Sequence, residues 1–124
     1  MSLSDATIKI TDLRLRTYIG FNPEELTRLQ DVVINIQISY PASLAMETDN
    51  ESNALNYKTV TKEVIALVEE GRFRLLEKLV ADILEVSTKH PWTTYARVTV
   101  DKPHALRFAD SVSLSLEWRK DLQL

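Results

Sequence analysis

The residues from Gln30 to Ser39 alternate between two kinds of side chain. Each even position from 32 to 38 is Val or Ile, while the odd positions include Asn35, Gln37 and Ser39. Successive side chains of a β-strand point to opposite faces, so this period of two predicts a strand with one buried face and one face toward water. The chain is therefore expected to contain a sheet whose core lies on one side.

Three other segments alternate in the same way, at residues 7–18, 95–101 and 111–118. In the first of them the apolar parity changes at Thr11-Asp12, which predicts a β-bulge or a bend. The residues expected to face inward in the other two are Ala96, Val98, Val100, Val112, Leu114, Leu116 and Trp118. The chain is therefore expected to supply two strands before residue 41 and two more after residue 94.

Two segments between these strand pairs have apolar residues at helical spacing. The first stripe consists of Val60, Val64, Leu67 and Val68, and the second of Leu76, Leu79, Val80, Ile83 and Val86. Asn56 is a plausible N-cap of the first helix, and Gly71 is expected to end it at the C′ position. The second helix is expected to end at His90-Pro91. The polar segment 41–53 is expected to be a partly irregular crossing.

This order of two strands, two helices and two strands predicts an α+β fold, a four-stranded antiparallel sheet with both helices on one face. With 124 residues and 44% hydrophobic content, a single domain over residues 1–124 is expected. The opposite face should be wet, since its positions are Asn35, Gln37, Ser39, Arg97, Thr99, Ser113 and Ser115. A sheet with long edge strands and one bare face either protects its edges or uses them to assemble. Self-assembly is the expectation here.

The charge and composition of the chain exclude several classes of function. Basic residues are scattered among acidic ones, and the formal net charge is −3, so nucleic acid and anionic membranes are not expected as main partners. The absence of cysteine excludes a disulfide framework and every thiolate metal site. The sequence shows no export signal and no run of about 20 apolar residues, which favours a cytoplasmic protein.

Lys102 stands where the strand-like stretch 96–100 meets a loop marked by Pro103. A lysine amine can act as a general acid or base in suitable surroundings. The chain has no cysteine and two histidines, so few other side chains compete for that role. The plain alternative is a solvated surface lysine. That alternative loses ground because three other residues can belong to the same site.

Those three residues are Glu77, Tyr57 and Glu25. Glu77 is expected in the first turn of the second helix, where its carboxylate could accept two parallel hydrogen bonds from the N–H pair of an aminopyrimidinone. Tyr57, at the start of the first helix, could stack on a ligand, pass a proton or simply pack. Glu25 lies in the loop between the first two strands. Glu77 could equally be an ordinary first-turn glutamate and Glu25 a solvated loop acid, so the case depends on finding all four residues in order.

The four residues occur in stretches that resemble the dihydroneopterin aldolase family over nearly the whole chain. These stretches are Tyr18-Ile19-Gly20 with Glu25 and Gln30, Leu55-Asn56-Tyr57, Leu75-Leu76-Glu77-Lys78-Leu79, and Lys102-Pro103. More narrowly, residues 13–17, 54–61 and 102–112 resemble the epimerase branch of this family. The part most specific to that branch is His104-Ala105-Leu106-Arg107.

The resemblance implies a tunnelling fold, in which subunits join their sheets edge to edge into a barrel with the helices outside. It implies a homo-oligomer, a tetramer or an octamer, with pterin sites between neighbouring subunits and with no cofactor and no metal. Glu77, with Leu76 beside it, would hold the pterin ring, and Lys102 would be the main acid/base group. Tyr57 of the adjoining subunit would help to move the proton. Glu25 would lie near the reacting side chain or orient Lys102.

For the epimerase branch, the resemblance implies inversion of the 2′ carbon of dihydroneopterin triphosphate by cleavage and re-formation of the C1′–C2′ bond. Four cations are candidates to hold the triphosphate: Arg14, Arg16, His104 and Arg107. Arg107 is preferred because it lies five residues after Lys102 and because a guanidinium pairs with phosphate in a bidentate manner. Arg14 and Arg16 could equally be alternating surface charges on a strand.

Two other functions remain open. One is an aldolase that cleaves unphosphorylated dihydroneopterin to hydroxymethyl-dihydropterin and glycolaldehyde in folate synthesis. The other is a non-catalytic pterin-binding or assembly module that keeps the fold. The zinc-dependent relatives of this fold are disfavoured, because His90 and His104 without a cysteine cannot supply the three protein ligands of a usual catalytic zinc site.

Overall fold

The computed structural model describes residues 3–120. The strands are β1 (Ala6–Ile19), β2 (Gln30–Tyr40), β3 (Arg72–Phe73), β4 (Tyr95–Pro103) and β5 (Ser111–Arg119). The helices are α1 (Ser43–Thr48), α2 (Tyr57–Glu70) and α3 (Leu76–Ser87), with a 3₁₀ turn at Glu51–Asn53. The four predicted strands and two predicted helices are all present, so the α+β class is confirmed.

The sheet differs from the prediction in its number of strands. Its order is β3-β1-β2-β4-β5, with antiparallel pairing throughout except between β1 and β3, which are parallel. The predicted four-stranded antiparallel sheet is therefore wrong, since the sheet is mixed and has five strands. The added strand escaped prediction because two residues are too few to show an alternation. Its pairing continues where the backbone N–H of Gly20 donates to the carbonyl of Phe73 at 2.9 Å.

The predicted bulge in β1 is confirmed. The register between β1 and β2 shifts between Ile10 and Leu13, and Asp12 takes a left-handed φ of 53°. Asn35 of β2 stabilises this geometry, because its side chain accepts a hydrogen bond from the Asp12 backbone and donates one to the Asp12 carboxylate. An aspartate tolerates this conformation better than a β-branched residue would.

Helices α2 and α3 begin where the sequence predicts, whereas their ends differ in detail from the prediction. The Asn56 side chain caps α2 by accepting hydrogen bonds from the N–H groups of Lys58 and Thr59. Gly71 ends α2 as predicted, but as its C-cap residue and in an extended conformation with φ −88°. A Cβ there would overlap the ring of Phe73, so the position has no room for a side chain. Helix α3 ends at Ser87, before the predicted His90-Pro91.

The predicted irregular crossing contains the short helix α1 and the 3₁₀ turn. Neither element buries a residue, so the sequence has no apolar stripe there from which a helix could be predicted.

The core lies between the helices and one face of the sheet. Fully buried aliphatic residues of the sheet are Ile19, Val32, Ile34, Ile36, Ile38, Val98 and Val100, and those of the helices are Val64, Val68, Leu79, Val80 and Ile83. Each such side chain contributes roughly 1.5–3 kcal/mol of transfer free energy. The predicted inward face of β5 is covered less fully, since Leu116 and Trp118 remain 38% and 36% exposed. The difference arises because β5 is an edge strand and has a neighbouring strand on one side alone.

The other face of the sheet is polar, as predicted. Hydroxyl pairs cross between strands, from Thr7 to Ser39 at 3.0 Å and from Thr99 to Ser115 at 2.6 Å. Within residues 3–120, β5 has no partner strand on its outer side, and β1 has one at residues 18–19 alone. Two long strand edges are thus open in this part of the chain. No helix of the same part is long and apolar enough to cross a membrane.

Candidate active site

Several predicted site residues meet at one end of the sheet. Gly20 bonds to the segment after α2, Gln30 of β2 donates to the carbonyl of Ile19 at 2.6 Å, and Lys102 reaches the β1–β2 loop. We call this the Lys102 end, formed by residues 19–30, 71–77 and 102–104. The start of α2, at Asn56, shares a cavity with His90 and Pro91, which precede β4. We call that the Tyr57 end.

Lys102 and Glu25 form an ion pair at the Lys102 end. The Nζ atom of Lys102 donates to Oε2 of Glu25 at 2.5 Å, and each side chain is 13% exposed. The two residues lie 77 positions apart in the chain, so the fold brings them together. Charge-assisted hydrogen bonds between groups this well shielded from water are strong, and they fix the position of both partners. The structure thus excludes the interpretation of Lys102 as a solvated surface lysine and of Glu25 as a solvated loop acid.

The Glu25 carboxylate has two further partners. Asn22 donates its side-chain N–H to Oε1 at 2.9 Å, and Gln30 donates to Oε2 at 3.1 Å. The hydrogen bond from Lys102 lowers the pKa of the Glu25 carboxyl from 4.5 to about 2, assisted by Gln30 and by the backbone N–H of Asn22 and opposed by burial. Glu25 is therefore ionised at neutral pH.

Gly20 makes room for this carboxylate. Its φ is 132°, a conformation that side chains rarely adopt, and a Cβ there would overlap the carboxylate of Glu25. The glycine therefore serves the site as well as the turn.

Sequence reasoning did not select Asn22 or Gln30 as site residues. For Gln30 a signal exists, because it stands on the same parity as the buried Val32 and Ile34 and is the one polar residue in that row. A polar residue on a buried row needs a hydrogen-bond partner, and Gln30 finds two acceptors there. Asn22 carries no comparable signal.

Glu77 and Leu76 begin α3 at the same end of the sheet. Glu77 is in the first turn, as predicted, and its side chain is exposed. Leu75, at the N-cap position of α3, makes no side-chain hydrogen bond to that turn. Within residues 3–120 no ion pair occupies the Glu77 carboxylate. It is therefore available to a ligand near the Lys102 end.

Tyr57 is at the opposite end of the same protomer. It is the first residue of α2, whose 14 residues end beside Gly71. At 1.5 Å per residue this helix spans about 20 Å, so Tyr57 is distant from Lys102 of its own chain. Its side chain is 52% exposed. One protomer therefore does not bring Tyr57 to the other three residues.

His104 and Arg107 occupy the loop between β4 and β5. His104 has a left-handed φ of 62° and lines a cavity on the polar face of the sheet with Arg14 and Arg16. Arg107 does not line this cavity, and its guanidinium lies 5.5 Å from the centre of the Phe108 ring.

His90 precedes β4 whereas His104 follows it, so the length of that strand separates the two histidines. In the described part of the chain no three His, Asp or Glu side chains cluster as a metal site would need.

Comparison with known proteins agrees with this architecture. The family model for dihydroneopterin aldolase (FolB) matches residues 8–117. The crystal structure of Escherichia coli dihydroneopterin aldolase in complex with neopterin has a TM-score of 0.85 at 26% identity, and the match covers 91% of this chain and 98% of that one. The chain therefore belongs to the dihydroneopterin aldolase family.

Within the family, two kinds of enzyme differ in their similarity to this chain. Dihydroneopterin triphosphate 2′-epimerase of E. coli K12 is 52% identical over 120 residues, 97% of this chain and 100% of that protein. The enzyme of the same name from Pseudomonas aeruginosa is 53% identical over 111 residues, 90% of either chain. Dihydroneopterin aldolase of E. coli K12 is 29% identical over 117 residues, 92% of this chain and 93% of that protein.

Proposed function

We propose that this protein is an epimerase that inverts the 2′ carbon of 7,8-dihydroneopterin triphosphate to give dihydromonapterin triphosphate. The observation that carries the proposal is the difference in identity, 52–53% to the two epimerases against 29% to the aldolase. A difference of this size over nearly equal lengths places the chain in the epimerase branch. The shielded pair of Lys102 and Glu25 supports a catalytic function over a purely binding one.

The reaction begins with cleavage of a carbon–carbon bond. A base removes the proton of the 2′-hydroxyl, the C2′–O bond becomes a carbonyl, and the C1′–C2′ bond breaks. The electron pair of that bond passes into the dihydropterin ring, which becomes an enamine. No oxidant is consumed, because the aldehyde and the enamine together have the same oxidation level as the substrate.

The fate of the aldehyde then decides the product. If it turns its other face and recombines, the enamine carbon re-forms the C1′–C2′ bond, the proton returns to the 2′ oxygen, and C2′ is inverted. If the aldehyde leaves and C1′ is protonated, the same site acts as an aldolase. A weak aldolase activity is therefore part of the proposal, since both outcomes share the cleavage step and differ in how firmly the aldehyde is held.

Lys102 is proposed as the group that moves the proton, and Glu25 as the residue that positions it. The Glu25 carboxylate, ionised at neutral pH, fixes the Nζ atom in one place through a 2.5 Å hydrogen bond. Proton transfer requires a donor and an acceptor held at hydrogen-bond distance, so this fixed position favours catalysis. Glu77 is proposed to bind the amino and ring N–H groups of the pterin through its free carboxylate.

The complete site is proposed to form between copies of the chain. Tyr57 lies at the far end of its own protomer and is half exposed, so a neighbouring copy is the natural source of the tyrosine at Lys102. The open edges of β5 and β1 allow sheets to join edge to edge. A closed ring of four chains, or two stacked rings, would satisfy both edges of each sheet.

Product analysis tests this function. The pure protein is incubated with dihydroneopterin triphosphate, and the products are separated on a chiral column after removal of the phosphates. We expect monapterin as the main product and hydroxymethyl-pterin as a minor one, and Glu77→Gln should raise the KM. Hydroxymethyl-pterin as the sole product would make the protein an aldolase, and an unchanged substrate would make it a binding module.

A further inference from the structure

A cavity of about 310 Å³ opens on the polar face of the sheet at its Lys102 end. The residues of its lining that carry charge or join it to the catalytic lysine are Arg14, Arg16, Asp31, Pro103 and His104. Two guanidinium groups and an imidazole thus face a single carboxylate, which leaves the cavity with an excess of positive charge. Such a cavity suits an anion that carries several charges.

The two arginines share one side of β1. They are two positions apart, so their side chains point to the same face of the sheet. Arg16 lies 3.3 Å from Asp31 in a pair whose side chains are 62% and 69% exposed. An exposed ion pair of this kind contributes little stability, so Arg16 can exchange the carboxylate for another anion at small cost. Arg14 has no ion-pair partner among residues 3–120.

Pro103 and His104 connect this cavity to the catalytic lysine. They follow Lys102 directly in the chain, and both line the cavity. The left-handed φ of 62° at His104 is uncommon for a residue other than glycine. It turns the backbone at the end of β4 and keeps the imidazole at the cavity. A substrate with its reacting carbons at Lys102 can therefore extend past Pro103 toward Arg14 and Arg16.

We propose that this cavity binds the triphosphate tail of the substrate through Arg14, Arg16 and His104. The proposal rests on the proposed function and names the subsite that would distinguish an epimerase from an aldolase. A guanidinium offers two parallel N–H donors to a phosphate, which a lysine cannot match. Held in this way, the cleaved aldehyde would remain beside the enamine long enough to recombine.

The lining of the cavity favours Arg14 and Arg16 over Arg107 as the residues that bind the triphosphate. Arg107, which the sequence alone favoured for this role, lies outside the cavity and above the ring of the 95% exposed Phe108. The positions of Arg14 and Arg16 around one cavity make them the better candidates.

Calorimetry with inorganic tripolyphosphate tests the cavity apart from any chemistry. Arg14→Gln and Arg16→Gln should each weaken binding about 10- to 100-fold, as expected for loss of a charge-assisted hydrogen bond. Asp31→Asn should strengthen binding, because it removes the opposing charge. The matched control is Arg97→Gln. Arg97 lies on the same polar face but on β4, away from the cavity, so its loss removes the same charge and should leave the affinity unchanged. Equal losses in Arg14→Gln and Arg97→Gln, or no binding by the wild type, would overturn the site.

Kinetics on two substrates then connect the cavity to the reaction. Arg14→Gln should lower kcat/KM on dihydroneopterin triphosphate about 10- to 100-fold while changing it less than about 2-fold on dihydroneopterin. Melting temperatures of all variants control for folding. A loss confined to Arg107→Gln would move the subsite to the β4–β5 loop and refute the present one. If the wild type binds tripolyphosphate at Arg14 but converts neither pterin, the anion site is upheld and the proposed function fails.

Discussion

At the scale of single residues, the ion pair of Lys102 and Glu25 dominates the Lys102 end. Each side chain is 13% exposed, so each has lost most of its contact with water. The loss is compensated because the charges face each other at 2.5 Å and because Asn22 and Gln30 also donate to the carboxylate. Removing one partner of such a pair leaves a shielded charge without compensation. Substitution of either Lys102 or Glu25 should therefore destabilise the Lys102 end.

Replacement of the lysine tests its chemical role. Lys102→Ala should lower kcat by roughly 10²- to 10⁴-fold, because it removes the group that moves the proton. Lys78→Ala is the control, since that lysine forms an exposed pair with Asp82 in the same protein. Steady-state kinetics of both variants provide the measurement, and near-normal turnover by Lys102→Ala would end the proposed mechanism.

The lowered pKa of Glu25 predicts a specific loss of stability in acid. In the unfolded chain the carboxyl titrates near its ordinary 4.5, and in the folded protein at about 2. The stabilisation is complete above the unfolded value and disappears as the pH falls through the folded one. Melting temperatures between pH 5 and pH 2 should therefore fall more steeply for the wild type than for Glu25→Gln. Parallel curves for the two proteins would show that the carboxylate is not held as described.

At the scale of secondary-structure elements, alternation and helical stripes were sufficient to predict most of the fold. The buried rows of β2 and β4 and the bulge at Asp12 follow from residue parity, which depends on local sequence. Strand β3 could not be predicted, because its pairing depends on the tertiary position of α2, whose end lies beside the end of β1. The same holds for the close approach of the Phe73 ring to Gly71, which leaves no room for a Cβ there.

The candidate site was predictable in part. Glu25, Glu77 and Lys102 were selected from their sequence contexts and the family resemblance together, and the structure brings them to one end of the sheet. The distance of Tyr57 from Lys102 depends on the direction of α2 relative to the sheet, which no local pattern contains. The cavity of Arg14, Arg16 and His104 likewise depends on three strands meeting.

The two glycines of the chain allow a test at this scale. Gly20→Ala would place a methyl group against the Glu25 carboxylate and should lower kcat roughly 10- to 100-fold by displacing the residue that holds Lys102. Gly71→Ala is the matched control, because its methyl group would meet the ring of Phe73 instead. It should lower stability by about 1–3 kcal/mol with little effect on kcat. Kinetics and thermal melting of both variants separate the effects, and equal kcat values would show that Gly20 serves the turn alone.

At the scale of the whole molecule, the proposed site requires more than one copy of the chain. Among residues 3–120 the sheet has open edges at β1 and β5, and the half-exposed Tyr57 is far from Lys102. Leu116 and Trp118 add partly exposed apolar surface to β5. A closed assembly would cover these features and place the tyrosine of one copy beside the lysine of the next.

Assembly and activity should therefore depend on each other. Light scattering should give the mass of four or eight chains, and a stable monomer with full activity would contradict the shared site. Mixed assemblies provide a stricter measurement. Subunits with Lys102→Ala and subunits with Tyr57→Phe should each have low activity alone. Their mixture should regain part of it, because some interfaces then combine an intact lysine with an intact tyrosine.

The central claim is that inversion at C2′ proceeds through cleavage and re-formation of the C1′–C2′ bond. Dihydroneopterin triphosphate that carries deuterium on C2′ tests this directly, with a metal chelator present. During cleavage that deuterium stays on the aldehyde carbon, so the account predicts dihydromonapterin triphosphate that retains it fully. Exchange of the deuterium for solvent hydrogen would mean that C2′ itself is deprotonated, and loss of activity with the chelator would mean that a metal takes part. Either result would contradict the mechanism proposed for Lys102.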